Sequence, residues 1–271
     1  MKSEQGIPMR ILFIILLTTT ISATADQLKS KPVVLASPSY WCPYACDTNG
    51  EELGFSVDIV LAALQSQGIP ANYQNMPYLR AQKQLKEGKI DGIIAAYKDE
   101  VSNAIFPQKP VSYSLYCFYS YQHMDFFWNE SVSALQPYKL LVTAGYSYSP
   151  EVDAYIAGYP SQLESLKGNN ITDRAFKMLH HKRADLFLED ARLYQYKLKK
   201  ENMKPAINRG CLKATTLGFL ALTRANLARS QIIADAYDRG FSSLEDSGEL
   251  QVILEKYNIK NFYSPSTIRD R

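Results

Sequence analysis

Four short segments carry the side chains best suited to holding a small molecule: Tyr40-Trp41, Tyr97-Lys98, Tyr146-Ser147-Tyr148 and Glu189-Asp190. Indole and phenol rings offer flat apolar faces, and a few polar groups at their margins fix the orientation of a bound solute. A carboxylate such as Asp190, taken out of water, needs a charged and hydrogen-bonded partner, and an ammonium group supplies one. Aspartate before a run of helix formers has a second use as an N-cap, so Asp190 carries both readings. The chemistry on offer is recognition. No nucleophile beside a base, phosphate loop or metal set is visible, so no enzymatic activity is expected. The three histidines, His123, His180 and His181, lack metal-ligand spacing, and neither a metal nor a cofactor is expected.

The cysteines must be read with the compartment. Ile11 to Leu17 form an apolar run behind Arg10 and lead to Ala23-Thr24-Ala25, the pattern of a cleaved secretory signal over residues 1–25. That run is well short of the roughly 20 residues a membrane span needs. An exported, periplasmic chain is expected, and there disulfides persist. Cys42 and Cys46 flank Pro43-Tyr44-Ala45 ahead of a turn-rich stretch, so a local bridge between them is expected. Cys117 and Cys211 each fall in an apolar, strand-like run. For them two buried free thiols and a bridge both stay open.

Such tips need strands that end at a common edge. Val33 to Ala36, Ala71 to Met76 and Ile90 to Ala96 read as strands, separated by helices over 54–64 and 78–86, the latter with Leu79 and Leu85 inward. After Pro137 the pattern restarts with a strand over 139–143 and a helix opened by Ser149-Pro150-Glu151. A helix from Thr172, a strand over 184–188, a helix to Lys200 and a strand near Ala206 follow. A strand over 217–222 and helices over 225–237 and 249–257 close the chain. The order predicts an α/β protein with two mixed, mainly parallel sheets, and ligands in open α/β sheets bind beyond the carboxyl ends of the strands. The 271 residues are 46% hydrophobic and 21% charged with net charge +3, which excludes a disordered chain and offers no basic stripe for nucleic acid.

The order of features resembles the family 3 periplasmic solute-binding proteins, two-lobed receptors of polar amino-acid transporters. Trp41-Cys42-Pro43-Tyr44, Gly54-Phe55 with Asp58, Pro77-Tyr78-Leu79-Arg80-Ala81, Phe106-Pro107 and Gly145-Tyr146-Ser147-Tyr148 carry the likeness. It implies the type II periplasmic-binding-protein fold with a two-strand hinge. Residues 26–118 and 222–271 would form one lobe and 119–221 the other. The implied ligand set is Trp41, Tyr78, Arg80, Tyr97, Lys98, Tyr146, Ser147, Tyr148 and Asp190, with Asp190 pairing an α-ammonium group. One departure stands out. The family's carboxylate-clamping arginine, six residues before Phe106, is Glu100 here. Either Arg80 reaches the cleft or the solute lacks a carboxylate. The implied role is capture of an amino-acid-like or amine-bearing solute by a monomer for a membrane ABC transporter. The alternatives are a dehydratase-like exported enzyme and a partner of a membrane sensor.

Overall fold

Short runs, too brief for helices and apolar at the sheet centres, sort into two five-stranded sheets. The architecture is taken from a computed structural model that describes residues 31–38, 41–47, 49, 52–158, 160–168, 170–200, 203–213, 216–259 and 262. The signal segment expected over 1–25 lies outside the described residues, as does Tyr40. The first sheet holds β1 (Val33–Ser37), β2 (Ala71–Asn75), β3 (Gly92–Ala96), β4 (Ser112–Ser114) and β10 (Thr216–Leu222), in the order β2-β1-β3-β10-β4. The second holds β5 (Tyr116–Ser120), β6 (Leu140–Thr143), β7 (Leu163–Leu166), β8 (Leu186–Asp190) and β9 (Ile207–Cys211), in the order β7-β6-β8-β5-β9.

The two sheets repeat one plan. β1 pairs parallel with β2 and β3, as β6 does with β7 and β8. The remaining pairings, through β10 in one sheet and β5 in the other, are antiparallel. The chain changes sheets at Leu115, between β4 and β5, and again between β9 and β10. The boundaries expected at 118/119 and 221/222 fall inside β5 and β10, because an apolar strand carries no mark of the sheet it will join. This is the two-lobed α/β architecture that the sequence resemblance implies.

Helices cover the sheets: α1 (Phe55–Ser66), α2 (Tyr78–Lys86), α3 (Pro150–Gly158), α4 (Ile171–His180), α5 (Ala191–Lys200), α6 (Leu227–Ser247) and α7 (Glu249–Lys256). α3 begins as its sequence predicts, with Ser149 Oγ accepting from Val152 N at 3.3 Å. α6 runs ten residues past the expected stop at Tyr237. Gly240, which looks like a breaker in isolation, is where α6 meets α1: a Cβ there would lie 2.0 Å from the Ala63 carbonyl oxygen. In α2, Ala81 and Leu85 are buried but Leu79 is 59% exposed, contrary to the inward position expected for it. Leu79 and Leu85 lie six positions apart, which puts them on different faces of a helix with 3.6 residues per turn. β7, a half-polar edge strand reading Leu-Glu-Ser-Leu, has no counterpart in the expected elements.

Both cysteine pairs are disulfides. Cys42 bonds Cys46 as expected, and Cys117 bonds Cys211, which stands directly opposite it across the β5–β9 ladder. The open choice for the second pair is thereby decided by register, which no reading of either segment alone contains.

Candidate functional site

The loop after β1 is shaped by its own backbone. Trp41 N donates to Ala45 O at 3.0 Å, and Ala45 N returns to Trp41 O at 3.0 Å, closing a tight turn beside the Cys42–Cys46 bridge. The start of α1 fastens that turn from below, with Phe55 N donating to Pro43 O and Ser56 N to Tyr44 O. The approach is so close that Gly54, at φ +105°, has no room for a side chain: a Cβ would lie 2.4 Å from Tyr44 O. The turn therefore holds Trp41 and Tyr44 as a rigid stacked pair, ring centroids 4.4 Å apart and planes 16° off parallel.

That pair faces the second lobe. Trp41 meets Tyr146 edge-on at 6.5 Å, and Tyr146 meets Tyr78 at 6.5 Å. A cavity of about 40 Å³ lies at this junction, bordered by Trp41 from the first lobe and by Thr143, Tyr146, Asn170, Thr172, Glu189 and Leu193 from the second. Trp41 is buried, and its indole N–H has no hydrogen-bond partner.

Three carboxyls lie near the junction, Glu189 and Asp190 buried and Glu100 half-buried, and they differ in what they hold. Asp190 Oδ1 accepts from the backbone N–H groups of Arg192 and Leu193, both at 2.9 Å, and so caps α5. Its Oδ2 accepts from Tyr44 Oη at 2.9 Å and from Leu115 N, at the sheet crossing, at 3.2 Å. These four bonds fill its acceptor positions, and Asp190 does not border the cavity. The N-cap reading is the one its surroundings bear out. Glu189, one residue earlier, does border the cavity; it accepts from Thr172 Oγ1 at 2.7 Å and from Asp190 N at 2.8 Å. Burial pushes its carboxyl up to about 7, against the hydrogen bonds from Asp190 and Thr172 that pull it down.

Glu100, in the loop after β3, reaches across the lobes. Its Oε1 accepts from Ser147 N at 3.0 Å, and its Oε2 accepts from Tyr78 Oη. Burial is again the main cause of a carboxyl raised to about 7. Asp153 Oδ2 and Oδ1 accept from Ser147 Oγ and Tyr148 N at 2.6 and 3.0 Å, so the first turn of α3 fixes the conformation of this second-lobe loop.

The other expected site residues separate on this geometry. Tyr97 is buried beneath Trp41, its hydroxyl bonded to Ser114 Oγ at 2.8 Å and Tyr116 Oη at 2.9 Å. Tyr148 turns into its own lobe, where its hydroxyl accepts from Thr143 N at 2.8 Å. Burial raises the phenols of Tyr44, Tyr97, Tyr116, Tyr146 and Tyr148, so all five stay neutral donors. Lys98 is exposed, with its ammonium 4.2 Å above the Phe219 ring. Arg80 is exposed on α2 and does not border the cavity. Glu189 is the residue that the sequence reading passed over in favour of its neighbour. The alternation of side chains along β8 was the available signal, because it sends adjacent acids to different surroundings.

Further contacts hold the lobes together. Lys200 Nζ lies 3.5 Å from Glu52. The Arg192 guanidinium donates to Tyr113 O at 2.9 Å and to Phe262 O at 3.3 Å. Among the described residues no group of three or more His, Cys, Asp or Glu is placed to hold a metal, and no helix is long and apolar enough to cross a membrane.

No protein-family profile and no curated protein sequence matches the chain. Solved structures do. A substrate-binding protein of an ABC uptake transporter from Streptococcus pneumoniae, with bound histidine, superposes with a TM-score of 0.71 at 18% identity, over 88% of this chain and 96% of that one. An ancestral arginine-binding protein bound to arginine gives 0.70 at 16% identity, over 84% and 98%. An ancestral amino-acid-binding protein that is a precursor of cyclohexadienyl dehydratase gives 0.66 at 15%, over 86% and 98%. The chain thus has the two-lobed fold of these amino-acid-binding proteins, and its resemblance to the family 3 periplasmic solute-binding proteins holds at the level of the fold.

Proposed function

We propose that this is an exported binding protein whose lobes close over a small polar, amine-bearing solute and present it to a membrane transporter of the ABC kind. The observation that carries the reading is the junction itself: Trp41 from one lobe and Tyr146 and Glu189 from the other border a common cavity, and Glu100 joins the lobes through Ser147 N. A ligand that touches both halves favours the closed state by its differential contacts, and two chain crossings are the hinge such a motion needs. The lobes in this proposal follow the sheets, with changeovers at Leu115 and between β9 and β10. Trp41, Tyr78, Tyr146 and Ser147 serve as ligand contacts, with Glu189 in the place first assigned to Asp190. The fold shared with histidine- and arginine-bound receptors supports solute binding. Native mass spectrometry of freshly purified protein is expected to show a retained small molecule, and small-angle scattering a compaction when it is added back.

One observation favours a second reading, an exported enzyme on the same fold. Glu100 and Glu189 are both held near neutral pH, where a carboxyl serves best as a proton donor. The fold is also shared with a dehydratase precursor. Turnover of the retained solute on incubation would select this reading over simple capture.

A further inference from the structure

The charges around the cleft narrow the class of solute. Glu189 borders the cavity from the second lobe, and half-buried Glu100 of the first lobe accepts from Tyr78, whose ring meets that of Tyr146. No lysine, arginine or histidine borders the cavity. Cations of the same region have partners of their own: the Arg174 guanidinium, beside the cavity-lining Gly168, donates to Lys167 O at 2.7 Å. Arg192 is bonded to the carbonyls of Tyr113 and Phe262, Lys197 is paired with Asp173 at 2.8 Å, and Lys98 lies over Phe219. A solute carboxylate placed here would leave water to face Glu189 with no basic side chain lining the cavity, a cost of several kcal/mol.

The backbone repeats the message. Ser147 N is the second-lobe amide that points across the cleft, and the carboxylate it binds already belongs to the protein, that of Glu100. The site is supplied with an anion of its own in that position. An ammonium group reverses this: it gives Glu189 a cationic partner inside the cavity, beside the rings of Trp41 and Tyr146. The Trp41 indole N–H, buried without an acceptor, adds one requirement, a neutral oxygen on the solute.

We infer that the cleft selects a small cationic amine that carries a hydroxyl or carbonyl oxygen and lacks a carboxylate, an amino alcohol or amino amide in chemical class. This rests on the solute-binding reading and goes beyond it by excluding free amino acids. The test compares pairs that differ only at the carboxylate: ethanolamine and glycinamide against glycine, serinol against serine, histidinol against histidine. Calorimetric titration of the whole mature protein, stripped by partial unfolding and refolding, is expected to show at least one carboxylate-free member binding about tenfold or more tighter than its amino acid. Glu189→Gln is expected to weaken that member about tenfold while leaving the thermal transition intact. An amino acid that binds as tightly as its carboxylate-free partner overturns the inference and leaves solute binding standing. So does a retained solute, identified by mass spectrometry, that bears a carboxylate or no amine. A protein that retains nothing and binds no member of the panel overturns both readings together.

Discussion

Glu100 and Glu189 are two carboxyls whose ionisation burial opposes, each raised from 4.5 to about 7. The groups facing them set the balance. Tyr78, Ser147 and Tyr97 favour the charged form of Glu100 while Asp153 opposes it; the Asp190 amide, Thr172 and Lys197 favour that of Glu189 while the Asp190 carboxylate opposes it. A group whose folded value is raised stabilises the fold fully below its unfolded value and loses that contribution as pH rises through the folded one. Stability is therefore expected to fall between about pH 4.5 and 7, and urea midpoints measured across that window check it. The Glu100→Gln, Glu189→Gln double variant is expected to flatten the slope. Trp41 gives the complementary prediction. Trp41→Phe removes a buried donor that has no acceptor, so stability is expected to change by less than about 1.5 kcal/mol while affinity for the retained solute falls. Loss of fold with unchanged affinity in the remaining native protein would place Trp41 in the core alone.

At the scale of elements, α5 and α6 depend on single residues. Asp190→Ala removes the α5 cap and strands the Leu115 amide, while the Tyr44 hydroxyl keeps Tyr113 O as an acceptor. An expected loss of at least about 1–2 kcal/mol in chemical denaturation follows from the cap alone. If Asp190 held the solute instead, the leading effect would be on affinity. Gly240→Ala would press a methyl group onto the Ala63 carbonyl, and overpacking of this kind costs typically 1–3 kcal/mol. Element positions were largely readable, because strands and helices follow local periodicity: α2 begins and ends where its composition says, and Ser149 caps α3. The orientation of Leu79 and the length of α6 were not, because both are settled by what the helix leans against.

For the whole molecule, the repeated sheet plan with β5 and β10 exchanged between halves makes the two crossings covalent links between the sheets, and the Cys117–Cys211 bridge ties β5 to β9 just beyond them. It closes a loop with a sequence separation of 94, and replacing both cysteines by serine is expected to lower stability by about 2–4 kcal/mol, read as a lower thermal midpoint. Lys200 and Glu52 join the lobes at 3.5 Å, in a half-exposed pair of small energetic value. Lys200→Glu is accordingly expected to leave the melting temperature nearly unchanged. It is expected to shift the scattering profile of the ligand-free protein toward the open form.

From the sequence alone came the two-lobed α/β class, the Cys42–Cys46 bridge, the aromatic tips Trp41 and Tyr146, and the acid at position 100 where the resembled family has an arginine. All are written in residue type and local spacing, which survive without knowledge of what packs on what. Only the tertiary structure decided that Cys117 faces Cys211, that Asp190 caps a helix, that Glu189 borders the cavity, and that Glu100 binds the opposite lobe. Each of these depends on register or on a contact between distant segments. Neighbouring acids on one strand, alike in the sequence, part company once the pleat sends them to different environments.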